Sequence, residues 1–302
     1  MSPKQKRGEV LIGTASWTDK TLLASGWYPD DAKTPEKRLA FYASQFPVVE
    51  VDATYYAPPS EANAVRWVER TPSHFTFNVK AFSLMTQHPA QVRALPKDIR
   101  DEVPEGKARV YPKDLSAKTM DRIFEMFASA LMPLHSAGKL GYILFQFPEW
   151  FVPGDENRDY IVRCAERLPD FRVAVEFRRG TWMTEKSAPR TLAFLEEHNL
   201  PYVCVDMPQG FPSSVPPVLA ATAKDLAVVR FHGHNKENWK KKGVTAAERF
   251  DYLYKPKEID EWAGKLEELA GETKRLHVMF NNCYGDKAVK NAKQLSDLLI
   301  AE

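Results

Sequence analysis

Arg172-Val173-Ala174-Val175-Glu176-Phe177-Arg178 decides how this chain reads. Successive side chains of a strand point to opposite faces. Val173, Val175 and Phe177 therefore share one face, and Glu176 and Arg178 share the other. The apolar face suits packing against helices, while the polar face ends in an acid and a base. Seven further stretches, residues 10–17, 48–55, 75–80, 141–147, 201–206, 227–232 and 275–282, are short and apolar and also end in polar residues. Their apolar parity collects Val49, Val51, Phe77, Val79, Ile143, Phe145, Val203, Val205, Val229, Phe231, Val278 and Phe280. Their polar parity collects Glu50, Asp52, Asn78, Lys80, Gln146, Asp206, Arg230, His232 and Asn281.

Helical periods fill most gaps, at residues 35–46, 60–70, 116–137, 155–167, 189–198, 256–270 and 286–300. Alternating strands and helices imply a parallel sheet. Eight such units predict a (β/α)8 TIM barrel of the α/β class, with its chemistry at the C-terminal strand ends and the loops that follow. A packed barrel interior is mostly branched aliphatics, so a polar interior set at the strand ends points to a site. A single domain over residues 1–302 is expected, because barrels commonly run to this length.

Residues 208–223 are rich in proline and serine and hold at most a short helix. Two segments are long for a compact domain, 83–115 after the third strand and 233–254 after the seventh. Structureless loops of such length usually serve as lids or binding loops.

A hydrophobic content of 44% supports a large core, and a net charge of +2 argues against a bulk nucleic-acid or membrane surface. Cys164, Cys204 and Cys283 have no paired spacing, which fits a reducing cytoplasm and offers no thiolate metal site. The first nine residues are polar and basic with no apolar signal core, and no apolar run reaches the roughly 18 residues of a bilayer span. A cytoplasmic protein without membrane contact is expected.

Among the polar strand ends, Glu50, Asp52, Glu176 and Asp206 face Lys80, Arg178, Arg230 and His232. Such a set can close the barrel as a paired ionic network, or bind an anion and move a proton. The strand-end location favours the second. Lys80, Arg178 and Arg230 are then the anion ligands, Glu176 and His232 the acid/base pair, and Asp206 the residue orienting His232 or Arg230. Gln146, Asn281, Glu50, Asp52, Trp17, Tyr55 and Trp182 complete the expected substrate contacts. Glu176, Asp206 and His232 also suit zinc or manganese, but two arginines beside them oppose a cation, and no metal is assigned. Aromatic residues, with Lys240, Lys241 and Lys242 beside Trp239, suit single-stranded nucleic acid. No Gly-rich dinucleotide motif, P-loop or Gly-x-Ser-x-Gly elbow appears, and the sequence names no cofactor.

Gly13-Thr14-Ala15-Ser16-Trp17, Gly26-Trp27-Tyr28-Pro29, Val49-Glu50-Val51-Asp52-Ala53-Thr54-Tyr55-Tyr56, Phe77-Asn78-Val79-Lys80-Ala81, Gln146-Phe147-Pro148, Ala174-Val175-Glu176-Phe177-Arg178, Val205-Asp206, Arg230-Phe231-His232-Gly233, Tyr252-Leu253-Tyr254 and Phe280-Asn281-Asn282 together resemble the YecE-like family. The resemblance spans nearly the whole chain. It implies a TIM barrel of unknown function, with motif residues at Glu50, Lys80, Glu176, Arg178, Asp206, Arg230, His232 and Asn281. The chain departs from the family pattern at Asp52 (often Asn), around His88 (members often carry Thr-His directly after the third strand) and at His234 (often Arg).

The expectation is an enzyme of hydrolase or lyase type acting on a polar, phosphate-containing or nucleotide-like substrate by acid/base chemistry. The alternatives are a non-catalytic binder of nucleotides or single-stranded nucleic acid, and a metal-dependent hydrolase on Glu176, Asp206 and His232. The partner is a small anionic ligand or a nucleic acid. The oligomeric state is left open.

Overall fold

A computed structural model of the chain describes residues 7–300. Residues 1–6 of the basic N-terminal stretch lie outside the described residues. The strands are β1 (Glu9–Ala15), β2 (Val48–Val51), β3 (Thr76–Lys80), β4 (Ala90–Gln91), β5 (Arg109–Val110), β6 (Leu140–Gln146), β7 (Val173–Glu176), β8 (Val203–Asp206), β9 (Ala227–Phe231) and β10 (Arg275–Phe280). Eight of them form a sheet in the order β7-β6-β3-β2-β1-β10-β9-β8. That is chain order taken cyclically, the topology of a (β/α)8 TIM barrel. β4 and β5 pair antiparallel on their own. The fold class read from the sequence is the observed one.

Contacts divide the chain into two compact units, residues 51–179 and residues 1–50 with 180–302. In the second, β1, β2, β8, β9 and β10 pair in parallel, β2 contributing its residues up to Glu50. The apolar parity faces helices as expected. Phe231 stacks on Phe280 at 4.7 Å and meets Trp262 of helix Pro256–Ala270 edge-on at 4.9 Å. The polar parity turns to the other face. Arg230 on β9 pairs with Glu50 on β2, and β10 and β1 lie between those strands, so the two side chains meet across the sheet's inner face.

In the 51–179 unit, β3, β6 and β7 pair in parallel. Phe77 stacks on Trp67 of helix Glu61–Glu69, and Phe145 on Phe124 of helix Ala117–Ser136. Both helices start with a serine, Ser60 and Ser116, whose side chain accepts a backbone N–H of the first turn. Buried Lys139 donates to the Val68 and Thr71 carbonyls and the Thr71 hydroxyl, so it caps the end of the first helix from within the core. A burial-depressed pKa accompanies that position.

Several boundaries differ from the expected ones. β2 stops at Val51, and a 3-10 turn over Ala53–Tyr55 follows. β7 ends at Glu176, β9 at Phe231 and β10 at Phe280, so Asp52, Arg178, His232 and Asn281 lie one or two residues past their strands. Residues 83–115 are not structureless. They hold the β4–β5 pair, helix Lys97–Arg100 and three 3-10 turns, each too short to register as a period. Residues 233–254 contain helices Lys236–Trp239 and Ala246–Arg249. Residues 208–223 carry no helix, as their composition implies. No described helix is long and apolar enough to cross a membrane.

Candidate functional site

In the 51–179 unit, Gln146 and Glu176 are register partners on β6 and β7, which puts both side chains on one face. Gln146 Nε2 donates to Glu176 Oε1 at 2.7 Å, and Arg178 Nε approaches the same oxygen at 2.7 Å. Glu176 has no exposed surface, whereas Arg178 keeps 14% of its side chain exposed. The carboxylate thus holds the guanidinium from below. Lys80, at the end of β3, is also 14% exposed. Its ammonium lies 3.6 Å from Asp52 Oδ1 and 4.7 Å from the centre of the Tyr55 ring. The 3-10 turn after β2 is what brings Asp52 and Tyr55 under it.

His88 belongs to the same cluster. Its Nδ1 is 2.9 Å from Thr86 Oγ1, and its ring meets Tyr55 at 5.3 Å and Trp150 at 5.6 Å, both edge-on. Burial, then the charges of Lys80 and Arg178, lower its pKa to about 4. It is uncharged at neutral pH. Burial chiefly raises the Tyr55 hydroxyl to about 12. Trp150 and Tyr56 are exposed at 60% and 65%, which offers open aromatic faces beside two cations.

In the other unit, Gly233 has φ +78°, and a Cβ there would come within 2.6 Å of the Tyr252 side chain. Only glycine fits this turn. Before it, His232 is fully buried and receives Asn281 Nδ2 at 2.9 Å on Nδ1. Beyond it, His234 is a third exposed, with Nε2 2.8 Å from Asp206 Oδ2 and Nδ1 3.3 Å from Glu258 Oε1. Tyr254 donates to the same Asp206 oxygen at 2.7 Å, and Tyr252 donates to Glu258 at 2.8 Å. Burial alone lowers the His234 pKa, but the Asp206 hydrogen bond and charge, with those of Glu258, outweigh it and raise the pKa. Burial and the Asp206 charge push the Tyr254 hydroxyl well up.

This geometry corrects part of the expected set. The Asp206 carboxylate serves His234 and Tyr254, while its backbone carbonyl accepts the His232 N–H at 2.8 Å. Arg230 and Glu50 close on each other with no exposed surface, so Arg230 offers no guanidinium to a ligand. His232 and Trp182 are fully buried, and Trp17 is 8% exposed. Trp239 of the lysine-flanked stretch is also buried, against Phe250. These rings pack in the interior and present no open face. Among the described residues no group of three or more His, Cys, Asp or Glu side chains is arranged to hold a metal ion. The sequence reading did not select His234, Tyr254 and Glu258. The signal for His234 was present in the His-Gly-His spacing, where an obligatory glycine reverses which side of the chain the second histidine serves.

Residues 11–302 match the family described as "Protein of unknown function DUF72". The chain belongs to this family. It is 35% identical over 296 residues to the UPF0759 protein YunF of Bacillus subtilis, covering 97% of this chain and 95% of that one. A DUF72 protein from Thermotoga maritima has a solved structure that matches with TM-score 0.76 at 29% identity, over 97% of this chain and 99% of that one. A DUF72 protein from Enterococcus faecalis matches with TM-score 0.77 at 26% identity, over 96% and 95%. The two solved DUF72 structures share this fold.

Proposed function

We propose that this chain is a YecE-like member of DUF72 that binds a phosphate-containing, nucleotide-like ligand through Lys80 and Arg178 of the 51–179 unit. One observation carries this. Two cations at strand ends are each held in place by a carboxylate yet left 14% exposed, and the histidine beside them is kept neutral. An anion approaching them meets a guanidinium fork and an ammonium, both able to make charge-assisted hydrogen bonds. Exposed Trp150 and Tyr56 suit a base or sugar face. The three cysteines are free thiols, which suits a reducing cytoplasm.

The test is equilibrium binding of thymidine 5′-monophosphate. Lys80→Ala and Arg178→Ala should each weaken it by roughly tenfold or more, the loss of one charged hydrogen bond. Unchanged affinity in both variants, with the melting temperature kept, would refute the assignment.

The unit of residues 1–50 and 180–302 supports a reading of its own, proton transfer by His234. The favouring observation is the Asp206–His234–Glu258 arrangement on a partly exposed imidazole. A histidine gripped by two carboxylates is suited to general acid/base work near neutral pH, and an enzyme of hydrolase or lyase type would use it so. NMR titration should place His234 above the ordinary histidine value, and Asp206→Asn should lower it. A His234 that titrates normally and is indifferent to Asp206 would remove this role.

A further inference from the structure

The 51–179 unit contains a cavity of about 410 Å³ that none of the expected site residues except Tyr55 predicts. Tyr55, Tyr56, Ser83, Gln91, Arg93 and Arg109 are among its walls. Tyr55 is the ring over which the Lys80 ammonium sits, so the cavity begins one aromatic ring away from the anion site. Tyr55 and Tyr56 meet edge-on at 5.1 Å and present differently oriented faces. The β4–β5 pair and the 3-10 turn Val92–Ala94 that follows β4 form another part of the wall, placing Arg109 and Arg93 there. Gln91 and Arg109 are register partners across that pair, and Gln91 Oε1 accepts Arg93 Nε at 2.7 Å. That contact fixes Arg93 by its Nε and leaves the two terminal nitrogens of the guanidinium to point elsewhere. Both arginines are exposed. Among the described residues neither has a carboxylate partner, and no acidic residue lines the cavity. Two guanidinium groups without acids, beside two tyrosine faces, recognise phosphate and planar rings together.

We infer that this cavity is a second nucleotide subsite, so the ligand is a short single-stranded oligonucleotide and not a mononucleotide. The inference rests on the Lys80 and Arg178 reading above. One phosphate occupies those cations. The next nucleotide continues past Tyr55, with its phosphate on Arg93 and Arg109 and its base against the tyrosines. Stacking on aromatic rings tolerates any base, so recognition depends on strand length and little on sequence. This role gives the segment between β3 and helix Ala117–Ser136 a use: it builds a wall.

The experiment compares thymidine 5′-monophosphate with a thymidine tetranucleotide on the full chain, by calorimetry or anisotropy over a salt series. The tetranucleotide should bind the unsubstituted protein at least about tenfold more tightly, in line with roughly 1–3 kcal/mol for one stacked base. Arg93→Ala combined with Arg109→Ala should abolish that advantage, leave monophosphate binding unchanged, and reduce the salt slope by about 0.7, for the one phosphate no longer neutralised. Both side chains are exposed, so circular dichroism and the melting temperature should not move. Equal affinity for the two probes in the unsubstituted protein overturns the second subsite while leaving the Lys80 site standing. Retention of the length advantage in the double variant overturns the assignment of these arginines. Binding of neither probe overturns the Lys80 reading, and the subsite with it.

Discussion

Glu50–Arg230 and Glu176–Arg178 are made of the same two residue types, and each carboxylate sits on a parallel strand near its C-terminal end, yet they do different things. Both members of the first pair have no exposed surface. In the second the carboxylate is buried, but the guanidinium keeps 14% of its side chain in solvent. An ion pair sealed from water on both sides serves the fold, since its charges compensate each other out of reach of solvent. A pair sealed on one side is a mount that aims a cation outward. The lesson is that charge type and strand position do not separate structural ions from ligand-binding ones. The exposure of the cation does.

The largest expected effect breaks the sealed pair. Arg230→Met should cost about 3–5 kcal/mol of stability, because Glu50 is left charged and buried. Adding Glu50→Leu should recover most of it, read by denaturant unfolding. A loss below about 1 kcal/mol for the single variant would erase the distinction between the two regions. Glu176→Gln should cost less, about 1–3 kcal/mol, because water can reach Arg178. It should also weaken nucleotide binding by misaiming that guanidinium. If Glu176→Gln destabilises as much as Arg230→Met, both pairs are structural.

Acid should sharpen the comparison through two histidines. His88 has its pKa lowered to about 4 by burial and then by Lys80 and Arg178, and His277 in β10 to about 3 by burial and then by Arg275. Both stay neutral in the folded chain while the unfolded chain protonates them near pH 6.5. Their contribution is therefore complete above about pH 6.5 and is lost as pH falls toward about 4 and about 3. Each should add a slope on the order of 1 kcal/mol per pH unit in that window, and His277→Gln should remove its share. An anion bound at Lys80 and Arg178 should raise the NMR-observed pKa of His88 and leave His277 unmoved. A His88 pKa indifferent to saturating nucleotide would detach it from the cation site. The smallest effect is on folding by Lys80→Ala, expected within about 1 kcal/mol, as for a partly exposed ion pair.

Much was legible in the chain alone. Strand parity and β/α alternation give the (β/α)8 class, because period and face follow from local backbone geometry. The same parity puts Glu176 beside Gln146 and Lys80 near a strand end, since register partners share a face. The corrections come from contacts distant in sequence. That Asp206 serves His234 and Tyr254 depends on a left-handed glycine and a segment returning twenty residues later. That Arg230 is spent on Glu50 depends on a meeting across a sheet, 180 residues apart in the chain. The walls built by Arg93 and Arg109 come from a turn and a two-residue strand, each too short to leave a period. Sequence determined which side chains face inward, because that is set residue by residue along a strand. Only the tertiary structure decided which of those charges are sealed and which remain reachable, because burial is a property of everything packed around them.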